Sequence, residues 1–526
     1  MFLLRNNIIL SLRVKLLQRK KSFFFLKKLK KKYPQAQIYL VGGAVRDLLL
    51  FRSTEDYDFV ISNIPLDILK NFLTQNGNVN LVGQAFGVLK FIPDEAESRH
   101  VFDIASPRKD FSFRTGGYKD VRTQNDPNLS IEDDLSRRDF SINAMAIEIN
   151  SNFLKKNTLI DPYGGYKDLK QKIIKSVGKP EERFKEDYSR ILRGIRFACQ
   201  LGDFPAKGEL ASGWEIENMT WQAMKGKMSC LLSPEKQIVP YEVIAKEFLK
   251  AFAFNPLKAF DLYKKSTAFQ KLIPELLKME GCLQPNNWHS EGDVWTHTHL
   301  ALRNLYSSKF YQQFKTKKFS LELILSVLFH DIGKPYTIQT PEKDKTDRIR
   351  FNEHDTVGGE ITRKICQRLK LSSPEKIGVN IDNIVWLVSH HMLLSQGRVK
   401  KMKASTIEKY FFNPQKPGLD LLKLSFVDIS ATVPPSGKPN FSDFNEMIER
   451  INFLKSQNQK YKRKPQNLPQ LLVNGNEVMR EFNLPPSPYI GKLLHLVREE
   501  QLNGRIKNKQ ETFEFLKSVY DKSERN

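Results

Sequence analysis

Asp56 and Asp58, in the segment DYDFVIS, are the first positions where residue type and spacing suggest chemistry. On an extended strand alternate side chains share a face, so both carboxylates point one way and Tyr57 the other. Two hard oxygen ligands on one face suit Mg²⁺. Asp103, in HVFDIAS, offers a third carboxylate. Together they can complete a two-metal site in which one ion acidifies an attacking hydroxyl and both steady a departing pyrophosphate. An Asp-x-Asp pair alone is common on exposed strands. Here, however, Gly42-Gly43 lies fourteen residues upstream, between an apolar strand and the start of a helix. Glycines at such a turn let backbone N–H groups approach phosphate oxygens, with the helix dipole adding attraction. Arg46 follows one turn into that helix.

A second constellation is built from imidazole. Seven of the nine histidines (His289, His297, His299, His330, His354, His390 and His391) fall between residues 289 and 391. Packing alone gives little reason to cluster histidine, and neutral imidazole is the commonest metal ligand. Imidazoles mixed with carboxylates favour a first-row transition metal over Mg²⁺. Water made acidic by such an ion can attack a phosphoester.

The elements that must position these groups follow from hydrophobic period and turn residues. SFFFLKKLKKKY at 22–33 predicts a helix leading into the strand IYLV, and AVRDLLLF a helix after the glycine pair. DYDFVIS, LVGQAFGVLKFI and HVFDIAS predict strands. The polar stretch 107–133, containing Gly116-Gly117, reads as a flexible loop, and DPYGG at 161–165 as a turn. From about residue 181 the pattern is mostly helical, and EDYSRILRGIRFACQL places Ile191, Ile195 and Ala198 on one face. GCLQPNNWHSEG interrupts that pattern before the histidine-rich helices, and SGKPNFSDF reads as a linker.

A chain of 526 residues is too long for one core and predicts two to four domains. Apolar residues make up 40%, enough to exclude a disordered chain. Lys and Arg outnumber Asp and Glu by 84 to 59, which suits a polyanionic partner, although a lysine-rich surface gives the same excess. Cys199, Cys230, Cys282 and Cys366 form no CxxC pair, which argues against a disulfide framework and suits a cytoplasmic location. No apolar run is long enough to span a bilayer, so no membrane partner is expected. The first 46 residues contain no acidic residue. The basic, apolar leader at 1–21 suits an organellar address, an extra RNA-gripping helix or an overlong start.

LVGGAVRDLLLFRSTEDYDFVIS resembles the signature of the class II tRNA nucleotidyltransferase and poly(A) polymerase family. DLSRRDFSINAMA resembles that family's second motif and EDYSRILRGIRF its nucleotide-selecting helix, with Ser141 where Thr is usual and Gly194 where Ala is usual. The resemblance implies that Asp56 and Asp58 hold catalytic Mg²⁺, and that Arg137, Arg138, Asp139 and Asn143 contact triphosphate and ribose. It further implies that Glu186, Asp187 and Arg190 select the base while Arg193 reaches phosphate. Asp187 and Arg190, three apart, share a face if helical. A carboxylate only accepts hydrogen bonds and a guanidinium only donates. That pair therefore suits cytosine and adenine, each with an exocyclic amine beside a ring-nitrogen acceptor, and opposes uracil and guanine.

Within the family, LVGQAFGVLKF and the uninterrupted stretch RTGGYKDVRTQNDPNLSIEDD lean toward CCA addition to the tRNA 3′ end from CTP and ATP. Poly(A) addition to general RNA, or partial CC or A addition, remain the alternatives. WHSEGDVWTHTHL, VLFHDIGKP, NEHDTVGGE, VSHHM and SFVDIS resemble the HD metal-dependent phosphohydrolase domain. That resemblance implies His297, His330, Asp331 and Asp428 as metal ligands, with His354, His390 and His391 nearby, and a role in repairing tRNA ends. The alternative is a domain that keeps its ligands for stability alone. The fold class implied is α+β. A polymerase-β-like head with a mixed sheet spans 22–165, followed by an all-α neck at 166–280, an HD domain at 281–435 and a helical tail at 436–526.

Overall fold

The computed structural model describes residues 21–82, 87–94, 100–117, 119–149, 158–202, 213–232, 238–395, 397–459 and 470–523. The leader up to residue 20, and residues 83–86 of LVGQAFGVLKF, lie outside the described residues. The chain divides into two compact units: 1–272 with 374–377, and 273–373 with 378–526.

The first unit is built on a seven-stranded mixed sheet. Its strands are β1 (Gln37–Val41), β2 (Tyr57–Ser62), β3 (Gly77–Val82), β4 (Val88–Pro93), β5 (Phe102–Ala105), β8 (Ala146–Glu148) and β9 (Leu159–Ile160), in the spatial order β3-β4-β5-β2-β1-β8-β9. Every neighbouring pair is antiparallel except β2 with β5, which run parallel. Helices α1 (Phe24–Lys32), α2 (Gly43–Leu49) and α3 (Leu66–Thr74) accompany the early strands. In α1 the residues Phe25, Leu26 and Leu29 are buried while lysines occupy the other side, the amphipathic pattern of a helix laid on a sheet.

Alternation along the strands sorts two chemistries onto two faces. Tyr57, Phe59, Leu89, Phe91, Phe102 and Ile104 join one buried cluster with Phe23 and Phe25. Within it Phe25 meets Phe91 at 4.8 Å, Phe23 meets Tyr57 at 5.1 Å, and Phe23 meets Phe102 at 5.2 Å between ring centroids. The intervening residues Asp58, Lys90 and Asp103 are thereby turned to the opposite face. A smaller core of Val41, Val60, Ile131, Leu135, Ala144 and Ala146 lies on that face.

The stretch expected to be a flexible loop is instead largely a β-hairpin, β6 (Arg108–Ser112) with β7 (Val121–Asn125), followed by α4 (Ile131–Ser136). Ser130 caps α4 by accepting the Asp133 N–H. After the turn at Asp161 comes α5 (Gly165–Gln171), whose first N–H groups, at Gly165 and Tyr166, donate to the Asp161 carboxylate at 2.7 and 2.9 Å. Then come α6 (Pro180–Glu186), α7 (Ser189–Gln200), α8 (Tyr241–Phe254) and α9 (Pro256–Lys265). Ile191, Ile195 and Ala198 are all buried on α7, the shared face that their spacing predicts.

The second unit is helical. α10 (Val294–Asn304), α11 (Leu321–Phe329), α12 (His354–Arg368), α13 (Ile381–His390) and α14 (Gly418–Ala431) pack into one group. The tail comprises α15 (Ser442–Gln459), α16 (Gly475–Glu481), α17 (Pro488–Leu502) and α18 (Lys509–Ser523), with its own small core around Val478, Leu493, Val497 and Leu516. The architecture is thus α+β, a mixed-sheet head followed by helices. Among the described residues no helix is long and apolar enough to cross a membrane.

Phe102 is fully buried and touches four other rings. Phe102→Ala is expected to cost about 3–5 kcal/mol, measured by urea denaturation. A loss below about 1 kcal/mol would show that the ring cluster does not hold the carboxylate strands.

Candidate active sites

Parallel pairing of β2 and β5 sets Asp58 level with Asp103, and Val41 at the end of β1 pairs with Asp58 from the other side. Asp56 does not lie on the strand as expected. It stands one residue before β2 and is exposed, although Tyr57 between the two aspartates is buried as alternation requires. Burial, then the charge of Asp56, and further that of Asp103, push the Asp58 carboxyl up to about 6 against the pull of Arg138 and Lys90. The Asp103 carboxyl is also raised, by burial first and by Asp56, with Lys90 opposing from 3.7 Å. Carboxylates that raise one another across a shared space fit a divalent cation, whose charge would relieve that repulsion.

The glycine turn meets this face directly. Gly42 has φ +69°, and a Cβ there would stand 2.6 Å from Arg138 Nη1 and 3.5 Å from Asp58 Oδ2. Glycine is therefore required twice, by backbone conformation and by the approach of Arg138. Arg46 is buried and its guanidinium donates to both oxygens of Asp47, at 2.9 and 3.0 Å, and to Asn143 Oδ1 at 2.8 Å. Asn143 Nδ2 donates to Asp139 Oδ1 at 3.1 Å, and Arg193 donates to Asp139 Oδ2 through Nε at 2.8 Å and Nη2 at 2.6 Å. Burial works to raise the Asp139 carboxyl, but Arg193 and Asn143 outweigh it and hold it well below the ordinary carboxylate range. Arg46, Asn143, Asp139 and Arg193 thus form one continuous polar chain.

Arg137 and Arg138 share an anchor that the sequence reasoning missed. Asp134, fully buried on α4, accepts from Arg137 at 2.8 and 3.0 Å through Oδ1 and from Arg138 at 3.3 Å through Oδ2. Burial opposes ionisation of Asp134, and the two guanidiniums outweigh it and keep the carboxyl below its usual range. The available signal was spacing, because Asp134 precedes the arginines by three and four residues at a helix end.

The segment expected to select the base is not one helix. α6 ends at Glu186, Asp187 is extended (φ −158°, ψ 103°), and α7 begins at Ser189. Asp187 Oδ1 accepts the Ser189 N–H at 2.8 Å, while Oδ2 stands 3.9 Å from Arg190 Nε. Acceptor and donor are therefore side by side, held by a helix break rather than a helix face. Arg190 donates to Glu186 at 2.7 Å and to the main-chain carbonyls of Arg183 and Arg137 at 3.1 Å each. Glu186 Oε2 also accepts from Arg183 at 2.9 Å, which makes it a holder of Arg190. The tip of the β6–β7 hairpin rests on this break: the Gly116 carbonyl accepts the Tyr188 N–H at 2.9 Å, and a Cβ on Gly116 would fall 2.0 Å from the Tyr188 ring. Of the two departures from the family pattern, Gly194 has a local reason in tight packing, whereas the Ser141 hydroxyl makes a bond that Thr could make too. Ser141 donates to Asp168 at 2.6 Å, and a Cβ at Gly194 would press on Phe140 and Met224 at 3.1 Å.

In the second unit His297, His330, Asp331, His354, His391 and Asp428 converge. The ligand atoms of His297, His330 and Asp428 lie within 4.8 Å of one another, as do those of Asp331, His354 and His391. Asp331 joins the two sets. Its Oδ2 is 3.4 Å from His330 Nε2 and 3.8 Å from His297 Nε2, and its Oδ1 is 3.6 Å from His354 Nε2 and 3.7 Å from His391 Nε2. His330, His354 and His391 each donate Nδ1–H to a main-chain carbonyl, of Val327, Phe351 and Val388 respectively, so each turns Nε2 inward. His330 Nε2 is buried without a hydrogen-bond partner. Inward lone pairs with fixed tautomers fit metal ions better than any network of the side chains alone.

Glu291, also unanticipated, accepts from Nδ1 of His297 at 2.9 Å and of His289 at 2.6 Å, and its other oxygen accepts the Val433 N–H. A carboxylate so placed fixes the orientation of an imidazole, as it would behind a metal ligand. His390 does not join the cluster. Its ring stacks on Trp386 at 4.6 Å and Nδ1 bonds the Trp386 carbonyl, because successive helical residues point about 100° apart. His299 lies on α10 and is not part of either ligand set.

A glycine turn beside paired carboxylates, followed by a buried His/Asp cluster, is the arrangement of a nucleotidyltransferase head joined to an HD domain. Residues 38–175 match the poly(A) polymerase head domain, 299–423 the HD domain, and 444–516 the tRNA nucleotidyltransferase domain 2. The multifunctional CCA protein of Herminiimonas arsenicoxydans is 29% identical over 404 residues, covering 74% of this chain and 83% of that protein. That of Acinetobacter baumannii is 31% identical over 341 residues, covering 65% and 71%. The chain belongs to the multifunctional CCA protein family of tRNA nucleotidyltransferases, enzymes that use divalent metal. Its fold is shared with the CCA-adding enzyme of Bacillus stearothermophilus solved in complex with CTP (TM-score 0.57, 19% identity, 95% of this chain and 97% of that one). It is shared also with the Thermotoga maritima CCA-adding enzyme complexed with tRNA (TM-score 0.56, 19% identity, 94% of each).

Asp134→Ala leaves two guanidiniums without their buried partner and is expected to cost about 3–5 kcal/mol. Chemical denaturation checks this, and wild-type stability would remove Asp134 from the scaffold. Glu291→Ala should weaken metal uptake by the HD unit about 10–100-fold in a chelator-competition titration. Unchanged affinity would refute its orienting role.

Proposed function

We propose that the first unit adds C, C and A in turn to the 3′ end of tRNA, using CTP and ATP, and that the second unit hydrolyses phosphoesters at RNA ends. The observation that carries the first part is the side-by-side placement of Asp187 and Arg190, set beyond the polar chain that leads back to Gly42 and Asp58. Asp56, Asp58 and Asp103 would hold Mg²⁺. When bound there, it lowers the pKa of the 3′-hydroxyl and neutralises the departing pyrophosphate. The protein supplies position. Arg46, Arg138 and Arg193 line the seat for the triphosphate, and Asn143 with Asp139 sets the ribose. Asp187 accepts from the exocyclic amine while Arg190 donates to the ring nitrogen, so cytosine and adenine are accepted and uracil and guanine present like to like.

Contact of the hairpin tip with Tyr188, between reader and helix, favours a pocket that changes from C to A over one that adds A without limit. In the second unit the donor sets suit two transition-metal ions sharing Asp331, one with His297, His330 and Asp428 and one with His354 and His391. Such ions supply an acidified water for attack on phosphorus. Glu291 would hold His297 in its ligating tautomer. The four cysteines are free thiols, in keeping with a cytoplasmic site of action.

With tRNA lacking its terminus plus CTP and ATP, growth should stop after three residues. Runaway adenylation, or a stop after CC, would overturn the CCA assignment. Asp58→Asn should reduce addition on the order of 10³-fold or more, equivalent to several kcal/mol of charge stabilisation. Asp331→Ala should abolish phosphoester hydrolysis and leave addition intact.

A further inference from the structure

Phe197 lies on α7 one turn beyond Arg193 and is 4% exposed. Three guanidiniums surround its ring: Arg196 at 3.9 Å, Arg46 at 5.3 Å and Arg193 at 5.6 Å from the centroid. The Phe140 ring meets it edge-on at 5.8 Å. Three cations around one buried ring repel one another, and each carries its own counter-charge: Arg46 pairs with Asp47, Arg193 with Asp139, and Arg196 with Glu247. Asp139 also reaches Arg46 through Asn143, a flexible two-link polar tether, but none of these carboxylates touches all three arginines. The ring is the one group all three share. An aromatic face carries a negative quadrupole that attracts each cation by roughly 0.5–2 kcal/mol, and an aliphatic side chain of similar volume has no such face.

We propose that Phe197 is a positioning residue for the nucleotide seat, its ring holding Arg46 of α2 and Arg193 of α7 at the separation at which both meet the triphosphate. This rests on the placement of those two arginines in the seat. Arg196, locked to Glu247 at 2.5 Å, ties the ring side of α7 to α8 and gives the arrangement a fixed base. Ordinary packing would need only the volume of Phe197. Positioning needs its electrons.

The two roles separate when Phe197 is replaced in the full-length enzyme by phenylalanines carrying one, two and three ring fluorines, which keep the shape and drain the face. KM for CTP and for ATP should rise stepwise in parallel, reaching about tenfold (about 1.4 kcal/mol, within the range of one to two such contacts). The thermal midpoint should stay constant and kcat should change less than about twofold. Phe197→Leu should match the most fluorinated variant in KM, and the choice between C and A should not move. A flat KM across the series, or a KM that rises only as the thermal midpoint falls, overturns the proposal. Arg46→Ala and Arg193→Ala tell its failure from that of the seat. If they raise KM while the fluorinated series is flat, the seat stands and the ring's role falls. If they too leave KM unchanged, both fall.

Discussion

Asp58 and Asp103 stand at paired positions of two parallel strands, and nothing in the strands themselves favours bringing two carboxylates so near. The arrangement persists because the opposite face of the same strands is a block of aromatic rings, where Tyr57, Phe59, Phe91 and Phe102 pack with Phe23 and Phe25. Each ring of that size buries enough apolar surface to contribute roughly 1.5–3 kcal/mol. Several of them together outweigh the cost of burying Asp58, and of setting it near Asp56 and Asp103, that raises its carboxyl to about 6. Packing on one side therefore maintains an electrostatic imbalance on the other, which the cation proposed for this site would relieve.

Around this centre, positive and negative side chains alternate. Asp47, Asp134, Asp139 and Glu247 each hold one or two arginines, so the guanidiniums are oriented before any nucleotide enters. Such preorganisation reduces the ordering cost at binding. The second unit shows the same logic with the roles exchanged. Imidazoles tethered through Nδ1 to main-chain carbonyls turn their other nitrogen toward carboxylates, and Asp331 lies near four imidazoles while its Oδ2 also meets Lys334 at 2.7 Å.

Much of this was legible in the residues. Strand, glycine pair, helix and Asp-x-Asp are local signals of period and turn chemistry, and they place Gly42, Arg46 and Asp58 correctly in the head. The α+β order and the gathering of His297, His330, Asp331 and Asp428 were likewise readable from motif order. What escaped has physical reasons. The β6–β7 hairpin alternates between half-buried and exposed positions with no apolar face, so its sequence resembles a loop. The helix break at Asp187 and Tyr188 combines a local cap, Asp187 on the Ser189 N–H, with a tertiary contact to Gly116 that no local pattern announces. Asp134 and Glu291 act on other side chains rather than on a ligand, and their roles appear only once their partners are placed. His390 and His391 are adjacent, and only the path of the helix decides which one faces inward.

Arg190 hangs from two peptide carbonyls, those of Arg137 and Arg183, in addition to its bond with Glu186. A carbonyl survives every substitution of the residue that bears it. The side chains at 137 and 183 therefore take no part in these two tethers on the residue proposed to read the base. The bearing of Arg190 thus rests in part on the course of the backbone, a support independent of which side chains stand at 137 and 183.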